Sequence, residues 1–409
     1  MNKRAVRLSW MLALVLALTA QFAAAQSAGV EERWLATWGA GMQQAAANMS
    51  YSNQTLRMFV RVSVGGSRVR VQLSNAFGAA PLVLGPVHIA LHGQGSAIVP
   101  GSDRPVLFSG KPTVKIPPGA VVVSDPVSLD APPLGDLAIS IYAPAGTGAV
   151  TRQATALRTN YVAPGDVTGA AELPGATAMQ SWVWISGVEV LAPAGAGAIV
   201  VLGASSAAGT TSTLDANRSW PSVLAERLQA NPATRNIAVI NRGIAGNRVL
   251  SDSGTAGLGA LARFERDVLA TPGVKWLMVF EGTNDIGGLS RDPQSMTADD
   301  LIAAYKQMIE RARAHGIKVI GCTLNPFQGM SYYTEQSEAV RLAVNDWIRT
   351  SGAFDAVVDF DAVTRDPANP KQLNPAFNNG DRLHPNDAGY KAMAEAIDLG
   401  IFSGARPAP

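Results

Sequence analysis

Two short motifs near the middle and the end of the sequence carry side chains that could transfer an acyl group. Ser205 follows the apolar run IVVLG, and a serine hydroxyl is a weak nucleophile unless a base lies beside it. His384 lies in a polar loop with Asp381 three residues earlier, which suits a base whose imidazole is oriented by a carboxylate. These residue types predict a catalytic triad of Ser205, Asp381 and His384.

Two further motifs could stabilise the negative charge that develops on a carbonyl oxygen. Gly243, in NRGIAGN, lets the backbone approach a ligand closely and present its N–H. Asn284, in EGTND, offers a side-chain N–H of the kind found in oxyanion holes. With the Ser205 backbone N–H, these groups are the predicted oxyanion donors. Each motif alone also fits an ordinary turn, helix cap or loop ion pair, and the combination in one region favours catalysis.

Alternating strands and helices must position these motifs. Strand-like runs are predicted at 199–203, 237–243, 276–282, 317–323 and 355–360. Helices are predicted near 218–230, 257–270, 298–315 and 335–350, with a last helix from Pro385. This alternation predicts an α/β fold, with a parallel sheet covered by helices on both faces. Ligands bind such sheets at the carboxyl ends of the strands, where all four motifs fall.

The preceding part of the chain has a different residue pattern. Short β-rich runs separated by Gly and Pro predict an all-β, jelly-roll-like sandwich over residues 26–192. Residues 55–75 alternate apolar and polar side chains around Gly65-Gly66, which is typical of a β-hairpin. The α/β domain is predicted at 198–404, and PAGAGA just before it is the predicted linker.

The first 25 residues have the composition of a secretory signal peptide. A basic start precedes an apolar run, and Ala23-Ala24-Ala25 supplies the small residues of a cleavage site after Ala25. The apolar run is short for the alternative, a transmembrane anchor, and no later run could span a bilayer. The sequence therefore predicts a secreted or periplasmic protein.

Composition and cysteine usage exclude several classes of function. The net charge of +2 is unlike the basic footprint of a nucleic-acid binder. Cys322 is the only cysteine, so no intramolecular disulfide can form, and its apolar neighbours predict a buried thiol. His88 and His92 are the only closely spaced histidines, and no acidic or cysteine residue lies near them in the sequence. We therefore predict no metal site. Acyl transfer by the serine, histidine and aspartate also requires no cofactor.

The motif order GAS, NRGIAGN, GTND and DRLHP resembles the SGNH (GDSL-like) hydrolase superfamily over roughly residues 198–400. The resemblance implies a flavodoxin-like three-layer α/β/α domain that hydrolyses carboxylic esters through an acyl-enzyme. It also implies Ser205 as nucleophile, His384 as base, Asp381 as its partner, and Gly243 and Asn284 as oxyanion donors. The N-terminal half is similar to the β-sandwich that precedes the esterase domain in some secreted members.

The first motif departs from the pattern of that superfamily. Its usual Gly-Asp-Ser reads Gly203-Ala204-Ser205, and Ala208 stands where a second aspartate is often found. We expect the loss of these aspartates to cost about 1–3 kcal/mol if a buried hydrogen-bond partner is left unpaired, and little if that partner has changed too. The larger cost is the case that affects catalysis. Catalysis would then slow roughly ten- to a hundred-fold. The neighbouring Ser206 is a second candidate nucleophile.

Several functions and substrates stay open at this point. One alternative is a non-catalytic, secreted glycan-binding protein with a decayed esterase site, and another is acyl transfer to an acceptor other than water. The substrate is expected to be a small-molecule or polysaccharide ester, and export with a β-sandwich favours acetylated polysaccharide. Trp182 and Trp184 could line a sugar platform or pack between domains, and Trp34 and Trp38 are expected in the core.

Overall fold

The computed structural model describes residues 32–403. The predicted signal peptide, residues 1–25, lies outside the described residues, as does residue 404 at the end of the predicted α/β domain. Within residues 32–403, no helix combines the length and the apolar character needed to cross a membrane.

The N-terminal region is built from antiparallel strands, because its short alternating runs each have one apolar face to bury. The strands are β1 (Glu32–Gly39), β2 (Gln43–Gln44), β3 (Gln54–Arg61), β4 (Gly66–Ser74), β5 (Leu82–Leu84), β6 (Val87–Leu91), β7 (Arg104–Val106), β8 (Val114–Ile116), β9 (Val121–Val123), β10 (Val127–Ala131), β11 (Asp136–Ala143), β12 (Thr151–Gln153), β13 (Asn160–Pro164), β14 (Thr177–Met179), β15 (Trp182–Val183) and β16 (Ile185–Pro193).

Two large sheets hold most of these strands. One has the order β1–β16–β4–β10, with β9 also paired to β4, and the other has the order β14–β13–β3–β11–β6–β7. The second sheet is covered on its outer face as well, since Arg57 on β3 is fully buried and donates to the carbonyl oxygens of Ser96, Thr168 and Ala170. The predicted all-β N-terminal domain is confirmed. Its jelly-roll connectivity stays a prediction.

The hairpin predicted around Gly65-Gly66 is wrong. β3 pairs with β11 and β13 in one sheet, whereas β4 pairs with β16 and β10 in the other, so the chain crosses between sheets at this point. Glycine is required at position 65 because a Cβ there would collide with the Ala131 carbonyl oxygen. Alternation in the sequence identifies the buried face of a strand but leaves its partner strand undetermined.

The C-terminal region alternates strands and helices, as predicted. The strands are β17 (Gly197–Gly203), β18 (Ile237–Asn241), β19 (Val274–Phe280), β20 (Lys318–Cys322) and β21 (Ala356–Val358). The helices are α1 (Ser205–Ala208), α2 (Trp220–Ala230), α3 (Ala260–Phe264, continued by a π-helical turn over Glu265–Leu269), α4 (Thr283–Gly287), α5 (Ala298–Ala314), α6 (Glu335–Thr350), α7 (Phe360–Thr364), α8 (Asp387–Glu395) and α9 (Gly400–Ser403).

All five strands of this sheet are parallel, in the order β18–β17–β19–β20–β21. Numbered along the chain, this is the 2-1-3-4-5 order of flavodoxin-like folds, with the strand order reversing between β17 and β19. The predicted α/β class is therefore confirmed. The helix expected from Pro385 starts two residues later at Asp387, because Asn386 caps it by accepting the Gly389 N–H.

The two regions are joined by a short connection and by direct contacts. Only residues 194–196 separate β16 from β17, so half of the predicted linker PAGAGA is strand. The Ser63 hydroxyl contacts both the N–H and the carbonyl oxygen of Val239 on β18, each at 3.1 Å. Arg242, just after β18, donates to the carbonyl oxygens of Ala40 and Ser186. The domain boundaries themselves stay a prediction.

Candidate active site

Ser205 lies where the strand order of the parallel sheet reverses. It follows the carboxyl end of β17 and is the first residue of the short helix α1. Gly203 is required just before it, because a Cβ there would lie 2.6 Å from the Phe280 carbonyl oxygen on β19. The chain therefore leaves the sheet tightly, and Ser205 stands at the edge where ligands bind in this class of fold.

His384 and Asp381 meet Ser205 from a loop near the end of the chain. The Nε2 atom of His384 lies 2.8 Å from the Ser205 Oγ, and its Nδ1 atom lies 2.6 Å from the Asp381 Oδ2. The second Asp381 oxygen accepts the backbone N–H groups of Leu383 and His384, which holds the loop in shape. The structure thus places all three predicted triad residues in one chain of hydrogen bonds.

The environment of Asp381 favours its charged form. Partial burial alone would raise the pKa of Asp381, but the hydrogen bonds from His384 and Leu383 outweigh it and hold the pKa below its ordinary value. The His384 side chain is 15% exposed and that of Asp381 is 37% exposed, so the triad opens to solvent. A carboxylate in this position can fix the imidazole so that Nε2 faces the serine.

The two adjacent serines have different partners. The Ser205 hydroxyl faces His384, whereas the Ser206 side chain interacts with the hydroxyl of Tyr390 on α8. The geometry therefore supports Ser205 rather than Ser206 as the candidate nucleophile.

Asn284 faces the same cavity as Ser205, from the first turn of α4. Its side-chain nitrogen donates to the Asn247 carbonyl oxygen at 2.8 Å, which fixes the amide. Among residues 32–403 the second N–H of this amide has no protein acceptor, so it is available to a substrate oxygen.

The structure contradicts the prediction that Gly243 supplies an oxyanion donor. Its N–H donates to the side-chain oxygen of Asn241 at 2.9 Å and is therefore engaged. A Cβ on Gly243 would collide with the backbone of Ala207 and Ala208, so this glycine allows β18 to approach the back of α1. Its role in the described structure is packing behind the nucleophile.

Gly246, in the same loop, is a candidate donor that the sequence reasoning missed. It has a left-handed φ of 78°, and within the described part of the chain its N–H reaches no acceptor. The next residue, Asn247, is the one whose carbonyl oxygen holds Asn284. The second glycine of NRGIAGN could have signalled this position, since a positive φ favours glycine.

Buried polar groups hold the two donor loops together. Asp285 accepts the backbone N–H groups of Val249 and Leu250 at 2.8 and 2.9 Å. Arg263 donates to the Asn247 side-chain oxygen at 3.0 Å and to the Arg242 carbonyl oxygen at 2.8 Å. These bonds link the loop after β18 to the loop after β19.

Glu281 is a buried carboxyl group at the end of β19. Burial raises the pKa of Glu281 well above its ordinary value, although the Arg263 charge 3.7 Å away opposes the shift. Neither carboxyl oxygen has a hydrogen-bond partner among the described residues, and the same holds for the side-chain oxygen of Asn325. Both residues line the Ser205 cavity, beside Ala204, which caps α1 without a side-chain hydrogen bond.

The remaining candidates lie away from this site. His88 contacts Asp103 at 2.8 Å, which corrects the expectation that it lacks an acidic partner, and His92 stacks on Phe59. Residues 32–403 contain no cluster of three or more metal-ligating side chains. Cys322 is buried at the end of β20, and burial raises the pKa of its thiol.

The tryptophans divide between packing and surface positions. Trp184 is buried against Tyr51, with ring centroids 5.7 Å apart, so it cannot form a sugar platform. Trp34 lies under the Arg70 guanidinium, and Trp38 is buried with its ring edge-on to Trp182. Trp182 alone of the two suggested platform residues lines a cleft.

Part of the chain matches a known protein family. Residues 201–392 match the sequence profile of the GDSL-like Lipase/Acylhydrolase family. A search of curated proteins gave no match.

Solved structures of several hydrolases are similar to part of the chain. A lipolytic protein of the G-D-S-L family from Desulfitobacterium hafniense shares 22% identity over 51% of this chain and 99% of its own, with a TM-score of 0.38. A GDSL-like lipase from Bacteroides thetaiotaomicron shares 20% identity over 51% of this chain and 88% of its own, with a TM-score of 0.37. A catalytic mutant of an acetylxylan esterase from Geobacillus stearothermophilus shares 21% identity over 50% of this chain and 93% of its own, with a TM-score of 0.40.

Proposed function

Because residues 201–392 belong to the GDSL-like lipase/acylhydrolase family, we propose that the protein is a serine esterase that hydrolyses carboxylic esters through an acyl-enzyme. The observation that carries the proposal is the hydrogen-bonded chain from Ser205 through His384 to Asp381. A nucleophile, a base and an orienting acid in this geometry are the parts that acyl transfer to water requires.

The first step forms the acyl-enzyme. His384 Nε2 takes the proton of the Ser205 hydroxyl as Oγ attacks the ester carbonyl carbon, and Asp381 stabilises the imidazolium that results. The negative charge on the carbonyl oxygen is received by the N–H groups of Ser205, Gly246 and Asn284. The ester C–O bond then breaks, and His384 gives its proton to the departing alkoxide, which leaves as the alcohol.

The second step releases the acid and restores the enzyme. Water attacks the acyl carbon while His384 Nε2 takes its proton, and the same three N–H groups again receive the oxyanion. The bond to Ser205 breaks, and the proton on His384 returns to the Ser205 oxygen. No metal ion or organic cofactor takes part in this proposal.

Paired serine variants test the nucleophile. Ser205→Ala should abolish turnover of p-nitrophenyl acetate and labelling by a fluorophosphonate probe, because the attacking oxygen is gone. Ser206→Ala, its matched control, should keep both. Full turnover in Ser205→Ala, or failure of the wild-type protein to label, would refute the esterase and favour a non-catalytic binding protein.

We also propose that the protein is exported and that its substrate is an acetylated polysaccharide. The export proposal depends on residues 1–25, and Edman sequencing of protein recovered outside the cytoplasm should begin at Gln26. Acetate release should be faster from acetylated glycans than from aryl esters of longer acids. An intact N-terminus, or a preference for long acyl chains, would contradict the respective proposal.

A further inference from the structure

A cleft lies between the N-terminal β region and the α/β region, apart from the triad. The empty space between its walls, open solvent at the mouth included, is about 870 Å³. Both regions contribute walls, with Trp38 and Trp182 on one side and the loop before α2 on the other. We call it the boundary cleft.

The charged side chains that line the boundary cleft are all basic. Three arginines line it, Arg61, Arg158 and Arg218, and no Asp or Glu does. Carboxylates behind the wall already pair with two of them, since Arg61 contacts Glu226 at 3.4 Å and Arg158 contacts Asp136 at 3.0 Å.

The third arginine of the cleft carries an unbalanced charge. The exposed guanidinium of Arg218 makes no hydrogen bond, ion pair or ring contact within residues 32–403. Arg158 is 6% exposed, and its guanidinium is held by Asn217 and Asp136. An anionic ligand in the cleft would pair with Arg218, because guanidinium binds planar carboxylates through paired N–H donors.

The rest of the lining suits a sugar ring. Trp182 is partly exposed in the cleft, and its indole N–H is bound to the Phe59 carbonyl oxygen, so the ring is held in place. Hydroxyl groups of Thr155, Ser212 and Ser222 also line the walls. A fixed aromatic ring next to hydroxyl groups and a free guanidinium matches the faces, hydroxyls and carboxylate of a uronic acid.

The cleft reaches the back of the nucleophile helix. Ala208, the last residue of α1, lines it together with Gly243, and Ser205 lies only three residues earlier. An aspartate at position 208 would place a negative charge in this wall. Alanine leaves the wall neutral, which favours an anionic occupant.

We propose that the boundary cleft binds an oligosaccharide containing uronic acid, with Arg218 pairing with a carboxylate and Trp182 stacking on a sugar ring. This site is distinct from the triad, so it holds whether or not the esterase assignment is correct. On a polymer, it would anchor a charged sugar while the ester is presented to Ser205 elsewhere on the α/β region.

Calorimetric titration with oligogalacturonate, using the full chain, tests the site. Arg218→Ala should weaken binding about tenfold or more, as expected when a charge-assisted hydrogen bond is lost. Arg235→Ala, an exposed arginine of the same region that does not line the cleft, should leave binding unchanged. Ala208→Asp should also weaken binding.

Two ligand controls separate charge from sugar recognition. The carboxyl-reduced oligosaccharide should bind at least tenfold more weakly, because it lacks the charge that pairs with Arg218. A sulfated oligosaccharide should also bind more weakly than the uronate, because the guanidinium pairs best with a planar carboxylate. No binding of oligogalacturonate, equal binding of its reduced form, or equal losses in Arg218→Ala and Arg235→Ala would overturn the proposal. Turnover of p-nitrophenyl acetate by Arg218→Ala should stay at the wild-type rate, which keeps this test independent of the triad.

Discussion

The imidazole of His384 lies 2.8 Å from the hydroxyl of Ser205, although 179 residues separate the two in the chain. The contact arises because the parallel strands bring their carboxyl ends to one edge, and the loop before α8 folds over that edge. Thr211 and Thr213, in the loop after α1, bind Pro385 and Asp387 and so tie the two sides of the site together.

Removing the charge of Asp381 should slow the enzyme without removing its nucleophile. In Asp381→Asn the carboxylate that fixes the imidazole becomes an amide, and kcat should fall by roughly 10²–10⁴-fold. Steady-state kinetics with p-nitrophenyl acetate would measure this. A loss of less than tenfold would show that another group orients His384.

The same carboxylate should make stability depend on pH in the acid range. Its pKa is lowered in the folded state, so its stabilising effect is complete above the unfolded value, near 3.8, and is lost as pH falls through the lower folded value. Urea unfolding of the wild type and Asp381→Asn should therefore differ at pH 6 and converge towards pH 2. A difference that grows on acidification would contradict the lowered pKa.

The contribution of Glu281 to the free energy of unfolding should change with pH in the opposite direction. Its pKa is raised in the folded state, so the cost of burying it is absent below the unfolded value, near 4.5, and grows as pH rises towards the folded value. The free energy of unfolding of Glu281→Gln, minus that of the wild type, should increase between pH 4 and pH 8. A constant difference across this range would mean that the carboxyl group is ionised with a partner.

Asn284 should matter to the transition state more than to substrate binding. Asn284→Ala removes a donor that we propose binds the developing oxyanion, and kcat should fall by about 10²–10³-fold with little change in KM. A change confined to KM would assign Asn284 to substrate binding instead. Its contact with Asn247 makes a thermal-unfolding control necessary for this variant.

Ala204→Asp restores a capping side chain to α1. The carboxylate can accept a free N–H of the first turn, which should stabilise the fold by about 1 kcal/mol. If the loop of Ser205 is loosely held in the wild type, kcat should rise as well. A lower Tm would show that the nearly buried position 204 cannot accommodate the new charge.

Sequence reasoning predicted the α/β sheet and the triad for related reasons. Alternating apolar strands and helices specify a parallel sheet, and that sheet brings residues at its strand ends together whatever their separation in the chain. Ser205, Asn284 and His384 all follow this rule.

The errors concern interactions that no local pattern encodes. Gly243 fails as a donor because the Asn241 side chain takes its N–H, and only the folded loop reveals which amides stay free. β3 and β4 alternate like a hairpin, yet tertiary packing sends them to different sheets. His88 gains its carboxylate from Asp103, fifteen residues away across a strand pair.

The contact of Ser63 with both polar groups of Val239 has a consequence for the parallel sheet. β18 is an outer strand of that sheet, and its free side would expose unpaired N–H and carbonyl groups. Exposed edges of this kind recruit strands from other chains and promote aggregation. The N-terminal region therefore protects this edge strand of the hydrolase fold from pairing with other chains. This protective role is independent of any part it has in substrate binding.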